Sequence, residues 1–86
     1  MSKSSEHEIM VRVSSVDKRL WEGCAQSISS ENQSGRFDIL PGHANFITMV
    51  EQKPITVRTS EGEKTFEYPN AVVYVSNGAA EIFAGI

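Results

Sequence analysis

The sequence predicts an all-β fold, either a sandwich or a barrel of short strands. Apolar residues recur with a period of two along several short runs, which places their side chains on one face of a strand. Turn residues separate these runs at short intervals, and no run has a secure helical pattern. Roughly seven or more strands are expected, a pattern typical of this fold class.

The first predicted strand shows the alternation most simply. Ile9, Val11 and Val13 occupy every second position after the polar stretch at residues 1–7, which we interpret as a flexible tail. Further strands are predicted at residues 20–29, 36–40, 55–60, 64–68, 72–76 and 80–84. The side chains expected in the core are Ile9, Val11, Val13, Phe37, Ile39, Val57, Val73, Val75 and Ile82.

Two dipeptides predict tight turns between strands. Pro41-Gly42 suits the central positions of a type II turn, because glycine accepts the positive φ that this turn requires. Asn77-Gly78 is the strongest short hairpin signal in the chain, since both residues tolerate the left-handed conformation of a type I′ turn.

Two segments are less regular. Within residues 20–29 we place a β-bulge at Gly23, because an isolated glycine in a strand pattern favours one. Within residues 43–52, Phe46, Met49 and Val50 have helical spacing, whereas Ile47, Thr48 and Val50 are β-branched. We predict a strand there.

Composition excludes several functional classes. The chain has 86 residues, 22% of them charged, with a net charge of −3 and no basic cluster of the kind that nucleic-acid binding needs. No apolar run approaches the roughly 20 residues that span a bilayer, and the polar start has no signal-peptide core. We therefore expect a cytoplasmic protein, or one bound to a membrane only through a partner.

No catalytic or metal-binding constellation is evident. The chain lacks phosphate-binding loops and a nucleophile elbow, so we expect no cofactor. His43 has no neighbouring ligand cluster, which argues against a metal site. Cys24, the single cysteine, has no activating base nearby and is expected to be a buried, inert thiol. Trp21 and Phe37 are expected in the core rather than in a ligand platform.

Two stretches carry a family resemblance. They are Trp21-Glu22-Gly23 and the longer Gly35-Arg36-Phe37-Asp38-Ile39-Leu40-Pro41-Gly42-His43-Ala44. The second resembles the glycine–any–Phe–Gly–Ile–Leu–Pro–Gly–His–Ala signature of the epsilon subunit of the rotary F-type ATP synthase. Asp38 replaces the usual glycine and Asn45 a common proline. Weaker similarity continues to the last strand, so the resemblance covers nearly the whole chain after the tail.

The resemblance implies a flattened antiparallel β-sandwich of two packed sheets over residues 8–86, corresponding to the N-terminal domain of that subunit. It further implies a non-catalytic central-stalk subunit that packs on the gamma subunit and the c ring and couples proton or sodium flow to ATP synthesis. Its location would be peripheral, on the cytoplasmic side of the membrane, and the isolated chain would be monomeric. The residues implied to contact these partners are Gly35, Arg36, Pro41, Gly42, His43, Asn45 and Phe46.

The length of the sequence and its function each allow more than one interpretation. Family members continue into two C-terminal helices, whereas this sequence stops at Ile86, and we interpret it as a naturally short form or an isolated domain. ATP binding belongs to those helices in the family, so none is expected from these residues. The alternative functions are a free-standing β-sandwich that binds a ligand or protein and, with no nucleophile–base pair to support it, a small hydrolase.

Overall fold

The computed structural model describes residues 8–42 and 44–85, and the predicted tail at residues 1–7 lies outside them. The described residues form strands without a helix. In chain order the strands are β1 (Ile9–Ser14), β2 (Arg19–Ala25), β3 (Ser27–Asn32), β4 (Gly35–Ile39), β5 (Phe46–Glu51), β6 (Ile55–Thr59), β7 (Gly62–Phe66), β8 (Asn70–Ser76) and β9 (Ala79–Ala84).

These strands form two packed sheets, as the sequence predicts. The first has five strands in the order β2-β1-β9-β8-β5, and the second has four in the order β4-β3-β6-β7. All pairs are antiparallel except β1 and β9, which run parallel with Val11 opposite Ala80. The predicted antiparallel β-sandwich is confirmed with this one parallel pair, because the last strand inserts between β1 and β8 and its direction is set by its hairpin with β8.

The core lies between the inner faces of the sheets. Every side chain predicted to be buried is buried except Phe37, which is half-buried and packs against the core. Its ring centroid lies 5.5 Å from that of Phe46, at the side where β4 and β5 approach each other. Trp21 is also half-buried against the core, which confirms its predicted structural place. Alternation thus identified the core correctly, while the aromatic rings close its sides.

The segment predicted as one strand at residues 20–29 is two strands in different sheets. The chain changes sheet at Gln26, whose backbone N–H donates to the carbonyl oxygen of Arg58 at 2.7 Å. The bulge predicted at Gly23 is wrong: Gly23 pairs in regular register with Val11, and the irregularity lies between Val13 and Ser14. A Cβ at position 23 would lie 2.9 Å from the ring of Trp21, so glycine is required by close packing.

Two other local predictions are confirmed. The ambiguous segment contains β5, in register with β8 from Phe46 opposite Val75 to Glu51 opposite Asn70. Asn77 and Gly78 have φ values of 53° and 78°, which match the two left-handed positions of a type I′ hairpin turn. This hairpin orients β9 so that its buried residues face the core.

Candidate interaction surface

The predicted contact residues lie at both ends of β4 rather than in one place. Gly35 starts the strand opposite Asn32, and Ile39 at its far end lies opposite Ile28. β4 spans Gly35–Ile39, and an extended strand advances about 3.3 Å per residue, so its two ends are about 13 Å apart. The structure therefore separates Gly35 and Arg36 from the loop that contains the remaining predicted contacts.

The loop after β4 shares its end of the sandwich with two other segments. Pro41 is half-buried, and Gly42, with a φ of 85°, and Asn45 are exposed. Asn45 Oδ1 accepts a hydrogen bond from the backbone N–H of Asn77 at 3.4 Å. The backbone N–H of Met10 donates to Gly78 at 3.3 Å, which brings the start of β1 to the same end. His43, also predicted here, lies outside the described residues.

Phe46 occupies a more structural position than a contact anchor would. It is half-buried at the start of β5 and packs against the core, with its ring tilted 58° to that of Phe37. Removing a ring in this position leaves a cavity, because core side chains rearrange only partly around lost volume. Phe46 therefore supports the loop that precedes β5 through its packing against the core.

Arg36 lies at the opposite end of β4 as an exposed side chain. In the β3–β4 register it stands opposite Glu31, which has Lys53 at 4.0 Å. The described residues offer Arg36 no ion pair within 4.0 Å. Its guanidinium can therefore contact water or the carboxylate of a partner.

An exposed apolar surface that the sequence reasoning missed lies on the outer face of the five-stranded sheet. Ile47, Met49, Tyr74 and Phe83 are 64%, 51%, 43% and 38% exposed. Cross-strand register aligns Met49 with Val72 and Val72 with Phe83, and it aligns Ile47 with Tyr74. We call these five residues the apolar face. Contiguous exposed apolar surface of this kind often marks an interaction site.

A sequence signal for this face was present. Residues 72–75 read Val-Val-Tyr-Val, so both alternating positions of β8 carry apolar side chains. A strand with polar residues on its solvent side would alternate instead, and a continuous apolar run indicates a strand covered on both faces. The predicted core includes only the inward positions of β8, Val73 and Val75.

Charged side chains border the apolar face. Arg12 Nη1 lies 3.3 Å from Glu81 Oε2 and Arg12 Nη2 lies 3.9 Å from Glu22 Oε2, which links β2, β1 and β9 across the sheet. All three side chains remain well exposed, so this network contributes little to stability. The apolar face therefore lies on the part of the sheet formed by β9, β8 and β5, next to this charged network.

The prediction that Cys24 is buried is wrong, because its side chain is exposed. It stands opposite Met10 on the outer side of the sheet, with its Sγ 3.7 Å from Met10 Sδ. Residues 8–42 and 44–85 contain no group of three or more His, Cys, Asp or Glu side chains placed to hold a metal. In the same part of the chain, no helix is long and apolar enough to cross a membrane.

Fold and surface together define a small β-sandwich domain whose notable feature is an exposed apolar face. The family model for the ATP synthase Delta/Epsilon chain, beta-sandwich domain, matches residues 8–84. The chain therefore belongs to this family.

Relatives and solved structures agree with that assignment. The ATP synthase epsilon chain of Corynebacterium jeikeium is 38% identical over 58 residues, which is 66% of this chain and 47% of that protein. That of Streptomyces avermitilis is 34% identical over 56 residues, covering 65% and 45% respectively. This chain thus spans about half the length of the curated relatives it matches.

Two solved assemblies contain chains with the same fold. One is the mitochondrial ATP synthase of Euglena gracilis, solved as OSCP/F1/c-ring, with a TM-score of 0.81 at 16% identity over 91% of this chain and 51% of that one. The other is the central stalk and c-ring of the Tetrahymena thermophila mitochondrial enzyme, with a TM-score of 0.76 at 13% identity, covering 91% and 63%. At these identities the likeness shows the fold.

Proposed function

We propose that this chain is a non-catalytic rotor subunit of an F-type ATP synthase, packing on the gamma subunit and the c ring. The observation that carries the proposal is the family match over residues 8–84, supported by the sandwich fold shared with chains of ATP synthase assemblies. In this role the chain does no bond chemistry. It couples proton or sodium flow to ATP synthesis by transmitting torque.

The sandwich is suited to that task because it is rigid. Two sheets packed through a continuous aliphatic core resist deformation, since close-packed interiors have low compressibility. Loops at both ends and an apolar face on one side give it several separate surfaces. A rigid body with contacts on different sides can hold two partners in a constant relative orientation while all three turn.

In this proposal the chain lies on the cytoplasmic side of the membrane and reaches it only through the complex. The contacts with gamma and the c ring are made by Arg36 at one end and by Pro41, Gly42, His43 and Asn45 at the other. Gly35 gives the backbone turn before Arg36, with a φ of 121°. Phe46 positions the second loop from beneath.

Binding of the purified chain to a reconstituted gamma–c-ring assembly tests the proposal. The variant Arg36→Ala/His43→Ala/Asn45→Ala removes polar contacts without touching the described core, so we expect a near-normal melting curve and about tenfold weaker binding or more. The matched control is Ser60→Ala/Glu61→Ala in the exposed β6–β7 turn, which should bind normally. Unchanged binding by the folded triple variant would disprove the contact residues, and failure of the unmodified chain to bind would disprove the function.

The alternative of a free ligand-binding module has less support. Such a site needs a concave, mainly apolar pocket. A surface hollow of about 500 Å³ near the β3–β4 turn is lined by Glu31, Asn32, Gln33, Ser34, Thr48, Met49, Glu51 and Lys53. With Met49 as its one apolar lining residue, this hollow does not favour binding of an apolar ligand.

A further inference from the structure

β5 is an edge strand whose outward backbone groups can be assigned from hydrogen bonds at its end. The N–H of Gln52 donates to Pro69 at 3.0 Å, in continuation of the β5–β8 register. Bonded and non-bonded pairs alternate in an antiparallel ladder, so Val50 and Thr48 point their N–H and C=O groups toward β8. Ile47 and Met49 therefore direct theirs away from β8, to the open side.

A second bond supports the same assignment. The N–H of Gly85 donates to Asn70 at 2.7 Å, in continuation of the β8–β9 register. This directs the backbone of Asn70 and Val72 toward β9 and that of Ala71 and Val73 toward β5. Among residues 8–42 and 44–85, none forms a hydrogen bond with the outward backbone groups of Ile47 or Met49.

Edge strands in natural proteins usually carry devices that block further pairing, such as charges, proline or a bulge. The other three edges of this sandwich carry charges: β2 has Arg19 and Glu22, β4 has Arg36 and Asp38, and β7 has Glu63 and Lys64. The β2 edge also has the register shift at Val13/Ser14. Each of these three edges is therefore protected.

β5 lacks these devices along most of its length. From Phe46 to Val50 it has no charge and no proline, and its register with β8 is unbroken. Its outward residues are also its most exposed apolar ones, with Ile47 at 64% and Met49 at 51%. A strand laid along this edge would satisfy their backbone groups, and its own side chains would pack beside theirs at the same time.

Charge indicates what kind of strand fits. Glu51, the last residue of β5, is exposed and has no ion pair with the described residues. A second copy of this chain, itself of net charge −3, would offer no basic residue from its own β5 opposite Glu51. A different polypeptide with a lysine or arginine at that position and apolar residues beside Ile47 and Met49 would match the edge.

We propose that β5 accepts an extended strand from a partner subunit, which continues the five-stranded sheet beside the apolar face. This inference rests on the proposed function, because it takes the partner to be another subunit of the stalk. It adds a backbone contact at the β5 edge to the contacts proposed for the loops around β4. The partner strand is recognised by its alternation of apolar side chains and by a basic residue opposite Glu51.

Amide hydrogen exchange in the isolated chain and in the assembled complex tests the proposal. The amides of Ile47 and Met49 should exchange quickly in the isolated chain and at least about tenfold more slowly in the complex. The amides of Thr48 and Val50, bonded to β8, should be slow in both states and serve as internal controls. Fast exchange at Ile47 and Met49 in a complex that has formed would overturn strand addition but not the proposed function. Failure of the complex to assemble would overturn both.

A pair of matched variants separates the edge from the face. Met49 and Met10 are 51% and 53% exposed on the same side of the same sheet, but β1 is an interior strand. Met49→Lys should weaken assembly about tenfold or more, because a lysine on an edge opposes strand pairing, and Met10→Lys should not. Equal weakening of assembly by the two variants would overturn the proposal in favour of contact through the outer face of the five-stranded sheet. Protection of β5 amides in an isolated chain that sediments as a dimer would assign the edge to a second copy instead.

Discussion

Residues that look alike in the sequence serve different purposes in this structure. Gly78 occupies a turn that needs a positive φ, whereas Gly23 lies in a regular strand and is needed because the Trp21 ring covers it. Trp21 and Gly23 are two positions apart on β2 and so share one face of the sheet. The ring also has Lys64 Nζ 6.0 Å from its centroid, on an edge strand of the other sheet. The glycine thus allows the tryptophan to close this side of the sandwich.

Gly23→Ala should therefore destabilise the chain by about 1–2 kcal/mol, because the new methyl group would force the ring out of its place. Urea unfolding followed by tryptophan emission would report both the loss of stability and a changed ring environment. In a Trp21→Ala background the same substitution should cost much less, since the clashing ring is absent. Equal costs in both backgrounds would show that the ring is not the reason for the glycine.

At the level of the strand, β8 shows how one element can have two apolar faces. Val73 is fully buried between the sheets, and its neighbour Val72 lies half-buried on the apolar face. Both belong to an interior strand with partners on either side. Their environments differ only because successive side chains point to opposite faces of the sheet.

A matched pair of substitutions measures this difference. Val73→Ala should lower the free energy of unfolding by about 2 kcal/mol, because it removes buried methyl groups and leaves a cavity. Val72→Ala should lower it by less than about 1 kcal/mol, because its site is already partly hydrated. Chemical denaturation of the isolated chain measures the loss in free energy of unfolding for each variant. Similar losses for both would mean that the outer face is covered in the isolated chain.

On the scale of the whole molecule, the parallel pairing of β1 and β9 joins the two ends of the domain. β9 lies between β1 and β8, so the first sheet is continuous only when the last strand is in place. Val11 and Ile82, both essentially inaccessible to solvent, contribute to the same core from opposite ends of the chain. Contacts this distant in sequence form only after a large loss of chain entropy, which favours all-or-none folding.

A chain that ends at Ser76 should therefore be unfolded. It would lose the strand between β1 and β8 together with the buried side chains of Ala80, Ile82 and Ala84. A small domain with part of its core removed cannot offset its conformational entropy. The far-ultraviolet spectrum and amide chemical-shift dispersion would show this directly. A cooperative thermal transition in the shortened chain would contradict the view that β9 completes the fold.

The sequence by itself determined the fold class, the core and the turns of this protein, because each depends on local patterns. Alternation identified Val11, Val57 and Ile82 as buried, and Asn77-Gly78 was sufficient for the hairpin. The sequence did not predict the order of the strands, because a parallel pair between β1 and β9 leaves no local signal. The family resemblance implied contacts at both Gly35 and Pro41, and only the structure shows that β4 lies between them. Which residues lie at an open edge depends on the neighbours of the whole sheet, and tertiary structure alone decided that for Ile47 and Met49.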